Sequence, residues 1–275
     1  MSAAICMADP SPARPQRGPG DESARAAADR LARSFGFDEI EPEAKAVRVR
    51  DVFDRVASRY DLMNDLMSGG IHRLWKEALL DWLAPRPGMH LLDVAGGTGD
   101  IATRFLQRIA GQGRVTLADI NPSMLAVGRD RALDAGWLGE IGWLAGDAMQ
   151  LPFADRSFDA VTIAFGIRNV TRIDRALAEA RRVLRPGGRF LCLEFSKVVV
   201  PLLGQLYDSY SFNVVPLIGR YVAKDEDSYR YLVESIRRFP GQPAFAALMR
   251  EAGLEQVRWR NLSGGIAAIH SGWRL

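Results

Sequence analysis

The chain has 275 residues, 48% of them hydrophobic, which is enough for one α/β domain with additions and a sizeable core. Its formal net charge of +3 is spread thinly over 36 basic and 33 acidic residues; this balance suits an anionic membrane surface and makes no nucleic-acid-binding patch. Two cysteines and three histidines, all dispersed, exclude a disulfide framework and supply no ligand set for a metal.

Residues 1–34 are rich in Ala, Pro, Arg, Gly and Asp, lack apolar periodicity and read as a flexible tail. The tail has no hydrophobic signal core, and Asp9, Asp21, Glu22 and Asp29 speak against a transit peptide. Residues 35–88 read as an N-terminal helical cap. Val47, Val52, Phe53 and Val56 recur at helical steps, Leu74, Leu79, Leu80 and Leu83 follow, and Pro85 and Pro87 end the pattern.

From Met89 the pattern alternates between strand and helix, so residues 89–275 are expected to form parallel βαβ units. The expected strands are 89–95, 114–119, 140–145, 158–165, 189–195, 255–260 and 265–270. The last two, separated by Asn261-Leu-Ser-Gly264, read as an antiparallel hairpin. A segment at about 197–254 breaks the alternation and reads as a helical insert. Its apolar stretch from Val198 to Ala223 is interrupted by Asp208 and Arg220, short of the roughly 18 residues a membrane span needs.

His90-Leu-Leu-Asp-Val-Ala-Gly-Gly-Thr-Gly-Asp100 is a strand running into a glycine-rich turn and a helix start. Such a turn lets the backbone approach a ligand, and the helix N-terminus offers free N–H groups. Asp119, at the end of the next strand, suits the two hydroxyls of a ribose. The same residues satisfy the dinucleotide fingerprint G-x-G-x-x-G/A, so adenosylmethionine and a nicotinamide or flavin both fit here, as does a turn without ligand. Gly146-Asp-Ala148, at the end of the third strand, could face an adenine, or Asp147 could simply cap the next turn. With the turn at Pro186-Gly187 and the terminal hairpin, these features favour adenosylmethionine.

From about Phe37 to Leu275 the chain resembles the ubiquinone/menaquinone biosynthesis C-methyltransferase family. The resemblance rests on Val52-Phe-Asp-Arg-Val-Ala-Ser-Arg-Tyr-Asp-Leu-Met-Asn-Asp65, Gly70-Ile-His-Arg-Leu-Trp-Lys76, Ala118-Asp-Ile-Asn121, Phe165-Gly-Ile-Arg-Asn-Val170, Leu193-Glu-Phe-Ser196 and Asp227-Ser-Tyr-Arg-Tyr-Leu232. It implies a Rossmann-like class I methyltransferase fold: a seven-stranded, mostly parallel sheet with one antiparallel strand, N-terminal helices and a helical insert between strands five and six. It further implies S-adenosylmethionine as methyl donor and the ring of a prenylated benzoquinol or demethylmenaquinol as acceptor. Its cofactor contacts carry over onto Thr98, Asp119, Asp147 and Ala148, beside Asp93, Gly96, Gly97 and Gly99 of the strand and glycine loop; Arg168, Asn169 and Tyr60 would carry the chemistry.

Arginine stays protonated, so Arg168 would stabilise a phenolate rather than act as base; its bland alternative is a structural ion pair. Tyr60 could equally be an interfacial core residue, and His72 is more often structural than a base. Leu203, Leu206, Tyr207, Tyr210 and Val214 recur at helical spacing, either as core or as a path for the polyprenyl tail. A cytoplasmic protein resting on the inner face of the membrane is expected in a bacterium, and one on the matrix side in a mitochondrion. A quinone-biosynthesis complex and a homodimer are further expected partners. The competing readings are a methyltransferase for another small molecule, a nicotinamide oxidoreductase and a non-catalytic scaffold.

Overall fold

The computed structural model describes residues 26, 28–57, 64–65, 68–137, 139–200 and 226–275. Tyr60 and the Leu203–Val214 stripe lie outside them. A two-stranded ribbon, β1 (Ser34–Phe35) and β2 (Asp38–Glu39), precedes helices α1 (Pro42–Val56) and α2 (His72–Leu83). The alternating part then runs β3 (His90–Val94), α3 (Asp100–Arg108), β4 (Arg114–Asp119), α4 (Pro122–Asp134), β5 (Ile141–Ala145), β6 (Phe158–Ala164), α5 (Ile173–Val183) and β7 (Leu184–Phe195). Two helices of the insert, α6 (Glu226–Arg238) and α7 (Gln242–Glu251), lead to the hairpin β8 (Glu255–Leu262) and β9 (Ala267–Arg274).

The seven main strands lie in the order β5-β4-β3-β6-β7-β9-β8, with β9 antiparallel to both neighbours. This is the expected class I methyltransferase sheet. Its strands are apolar at consecutive positions because helices cover both faces. Leu91, Leu117, Leu191 and Leu193 face α2 and α3, packing on Leu79, Leu80, Phe105 and Leu106. Leu92, Val94, Val161 and Cys192 face α5 and α7, packing on Leu177, Phe245 and Met249. The strand period of two therefore puts Asp93 on the face that α2 and α3 cover. Strand order reverses between β3 and β6, so the loops after β3, β4, β5 and β6 converge on one edge.

Part of the segment expected as a tail carries structure among the described residues. Residues 28–32 are helical, and Ala28, Leu31 and Ala32 are buried. Lys45 Nζ in α1 donates to the Leu31 carbonyl at 2.5 Å, fastening this turn to the cap. Three small apolar residues in one turn are too short a pattern for periodicity to register. The ribbon was not expected either; it turns at Gly36, whose φ of +58° favours glycine. In the cap, α2 is clamped on α3 by ion pairs from Arg104 to Glu77 and from Arg108 to Glu77 and Asp81. Among the described residues no helix is long and apolar enough to cross a membrane.

Candidate active site

The loop after β3 turns sharply at Ala95, which holds a left-handed φ of +51°, and at Gly97, at +55°. A side chain at Gly96 would put its Cβ 2.6 Å from Leu117 Cγ and 2.8 Å from Asp93 Oδ2, so the loop can lie against Asp93 with glycine alone. Gly99 then starts α3 in a left-handed conformation, backed by Trp143.

Two buried carboxylates govern this loop. Asp119 Oδ2 accepts from the Gly97 N–H and Oδ1 from the Asn121 N–H, both at 2.8 Å. Burial pushes its carboxyl up to about 6 against these hydrogen bonds. Asp93 Oδ1 accepts from the Thr162 hydroxyl at 2.7 Å, while Oδ2 is buried without a partner. Burial pushes Asp93 up to about 7, with Thr162 and then Lys76 pulling the other way.

Two neighbouring spaces open over the loop. The larger, about 790 Å³ of empty volume, lies between α1 and the loops after β3–β6. Gly97, Asp119, Asp147, Ala148 and Asn169 are in its wall, and Val49, Arg50 and Phe53 of α1 roof it. The smaller, about 340 Å³, holds Asp93, Gly96, Thr98, Lys76 and Asp100, and shares Ala95, Gly97 and Phe165 with the first. Asp147 Oδ1 accepts from the Met149 N–H at 2.8 Å, so the capping role foreseen for it is present, and the residue faces the pocket as well.

These residues suit adenosylmethionine: a ribose acid at the end of β4, a loop that no Cβ can crowd, and a buried oxygen with no partner. The ubiE/COQ5 methyltransferase family matches residues 41–274. The chain is 65% identical over 241 residues to a ubiquinone/menaquinone biosynthesis C-methyltransferase UbiE of Paracoccus denitrificans, covering 88% of this chain and 96% of that protein. It belongs to the ubiE/COQ5 methyltransferase family. A protein of the same name from Brucella abortus is 57% identical over 247 residues, 89% of this chain and 92% of that one. A SAM-dependent methyltransferase structure from Aquifex aeolicus shares the fold at 16% identity, with a TM-score of 0.55 over 73% of this chain and 89% of that chain.

In this ubiE/COQ5-type chain, the loop after β6 bears the family motif Phe165–Val170. Phe165 has a left-handed φ of +58°, and Ile167–Asn169 form one 3-10 turn. The turn sends its two polar side chains to different places. Arg168 is fully buried and lies in neither wall. Its Nη1 donates to Glu194 Oε1 at 2.5 Å and to the Phe165 carbonyl at 2.8 Å, and the guanidinium sits 5.6 Å from the Phe195 ring centroid. The ion pair weighed from sequence is thus present. The Arg168 Nε and Nη2 hydrogens nevertheless remain without acceptors.

Asn169 does face the larger pocket, and its Oδ1 accepts from the Tyr231 hydroxyl at 2.9 Å. That leaves the Asn169 NH2 as a donor for a bound oxygen. Burial pushes the Tyr231 phenol up, so it remains a donor, and its ring stacks on Phe35 at 4.3 Å between centroids.

His72 Nε2 lies 2.8 Å from Asp65 Oδ1, at a shallower space with Arg73 and Arg104. Burial, then the Lys76 charge, lowers its pKa, which fits a structural imidazole outside the main pocket.

Sequence reasoning missed three residues of the site, Lys76, Asp100 and Glu194, and it placed Tyr231 in a substrate wall without its bond to Asn169. Each stood in or beside a motif quoted for the family, but the partner that gives it meaning is remote in sequence. Tyr231 is 62 residues from Asn169 and Glu194 is 26 from Arg168.

Proposed function

We propose that the chain is an S-adenosylmethionine-dependent C-methyltransferase acting on the ring of a prenylated quinol of the ubiquinone/menaquinone type. The observation that carries this reading is one continuous space with the ribose acid Asp119 and the glycine loop on one side and the Asn169 amide, held by Tyr231, on the other. The relatives' shared name supplies the substrate class.

When bound, S-adenosylmethionine supplies an electrophilic methyl on a sulfonium. Asp119 would hold the ribose, Asp147 and Ala148 would border the adenine, and Asp93 would take a cationic group with its free oxygen. A ring carbon would become nucleophilic as a quinol hydroxyl gives its proton to water, and on taking the methyl would release its own ring proton to water, with S-adenosylhomocysteine as the leaving product. The Asn169 NH2 donates to that oxygen, and Arg168, its neighbour in the same 3-10 turn, is tied to Glu194 and to the Phe165 carbonyl and so fixes the turn that presents Asn169. Arg168 is therefore a positioning residue for this loop, and Asn169 is the group that touches substrate. Phe53, Phe165 and Val49 exclude water, which strengthens these interactions.

The polyprenyl chain resides in a bilayer, so the protein meets a membrane surface. Exposed Ile71 at the N-terminal end of α2 and Leu74 in its first turn, with exposed Val199 and Val200 after β7, support this. Both segments reach the Ser263–Gly265 turn: Trp75 Nε1 donates to Ser263 Oγ at 3.0 Å and the Val199 N–H to the Gly264 carbonyl at 2.9 Å. Exposed apolar side chains on two segments that meet the same turn suit a peripheral contact.

The test uses purified protein, S-adenosylmethionine with a labelled methyl group and a short-chain demethylated quinol. Label on the ring carbon is expected. Label on oxygen, or binding of a nicotinamide cofactor in place of S-adenosylmethionine, would overturn the reading. Vesicle co-sedimentation that drops for Leu74→Asp tests the membrane contact.

A further inference from the structure

Lys76 is a buried cation beside the smaller of the two spaces, at 4% exposure. Its Nζ donates to Asp100 Oδ2 at 2.6 Å, which uses one of three hydrogens. Asp100 does not depend on this contact for charge balance, because Arg104 Nε donates to its other oxygen at 2.6 Å. Burial alone would raise the Asp100 carboxyl, and these two cations together leave it below the usual range. Lys76 therefore holds spare donors and spare charge in a place that water reaches poorly.

Asp93 stands in the same wall with Oδ2 buried and unpartnered. The space thus offers an acceptor on β3 and a multiple donor on α2, with Gly96 and Thr98 between. A zwitterion matches this arrangement; a plain anion or a plain cation would leave one side unpaired. We propose that Lys76 recognises the α-carboxylate of the methionine end of the cofactor, opposite Asp93 on its ammonium. The proposal rests on the S-adenosylmethionine reading and adds to it the residue that selects for an intact amino acid. It gives α2 a role besides packing: the cap helix supplies one wall of the cofactor site, held in place by the Glu77 and Asp81 pairs to α3.

The test compares three ligands by calorimetry on the full chain: S-adenosylhomocysteine, its decarboxylated analogue, which keeps the ammonium, and methylthioadenosine, which lacks both charges. The wild-type chain is expected to bind S-adenosylhomocysteine roughly 10- to 150-fold more tightly than the decarboxylated analogue, the range for a charge-assisted hydrogen bond. Lys76→Met should collapse that ratio towards unity and leave methylthioadenosine unchanged, while Lys76→Arg retains part of it. Methylthioadenosine bound without any preference for the carboxylate in the wild-type chain overturns the proposal while the cofactor reading stands. Equal weakening of all three ligands by Lys76→Met overturns it too, as damage to the loop. If the wild-type chain binds none of the three, the cofactor reading falls as well. The wild-type ratio needs no variant to fold.

Discussion

Asp93 on β3 and Glu194 on β7 are both buried acids near the edge where the loops converge, and they are treated in opposite ways. Glu194 has a cation at 2.5 Å from Arg168 and accepts the Phe195 N–H at 2.9 Å. Burial still holds its carboxyl above the usual range, with the Arg168 charge pulling it back. Asp93 has one neutral hydroxyl partner and one bare oxygen. The first acid is closed within the protein and fastens the loop after β6 through Arg168. The second is left open, and the free energy of pairing its oxygen is available to a ligand. A buried polar atom without a partner is costly in the empty protein and profitable in the complex. This is how a rigid scaffold can carry a binding site without moving.

The sharpest way to break this contrast is at Glu194. Glu194→Ala should cost about 3–5 kcal/mol in urea unfolding, because it strands the Arg168 charge in the core. Glu194→Gln, which keeps acceptors, should cost less. A loss under 1 kcal/mol in the alanine variant would mean that the pair is not the closed element described.

On the open side, Asp119→Ala should weaken S-adenosylhomocysteine binding by roughly 10- to 150-fold in calorimetry, the effect of losing charge-assisted bonds to a ribose. Methylthioadenosine should weaken equally, since it keeps the ribose. Unchanged affinity would remove Asp119 from the site.

The raised pKa of Asp93 gives the next effect. Between its ordinary value near 4 and its folded value of about 7, the native chain holds a proton that the unfolded chain has released. Stability contributed by this group therefore falls as pH rises through that window. A ligand ammonium prefers the carboxylate, so S-adenosylhomocysteine binding should strengthen as pH rises towards about 7, by up to about tenfold per unit, with proton release. Asp119, at about 6, acts in the same direction over the lower part of the range. Asp93→Asn should remove the upper part of the slope. A slope unchanged in that variant would assign the titration elsewhere.

The smallest effect concerns Tyr231. Tyr231→Phe removes one hydrogen bond to Asn169 and should lower kcat by about 2- to 10-fold, the worth of a neutral bond, with cofactor affinity intact. Asn169→Ala should lower kcat further. If Tyr231→Phe instead raised KM for the cofactor in step with kcat, its role would be packing alone.

The strand and glycine signals were local, and they were read correctly. His90–Val94 and the hairpin β8–β9 begin and end no more than four residues from where alternation and turn chemistry put them. Asp119 and Asp147 were picked out because one ends a strand and the other lies two residues beyond the next, and strand ends converge in a parallel sheet. Arg168 and Asn169 were found together, as adjacent polar residues of one motif, and the backbone then separated them. A 3-10 turn rotates successive side chains by about 120°, so one entered the core and the other the pocket. No spacing rule foretold which.

The sequence by itself determined the class of sheet, the position of the cofactor loop and the family, because those depend on short-range periodicity and contiguous motifs. Tertiary structure alone decided which charges are closed and which are open. Lys76 meets Asp100 across 24 residues, Arg168 meets Glu194 across 26, and Asp93 meets Thr162 across 69. The chemistry of each acid depends on the distance and number of its partners and on the water excluded around it. Those quantities exist only after α2, β3, β6 and β7 have packed together.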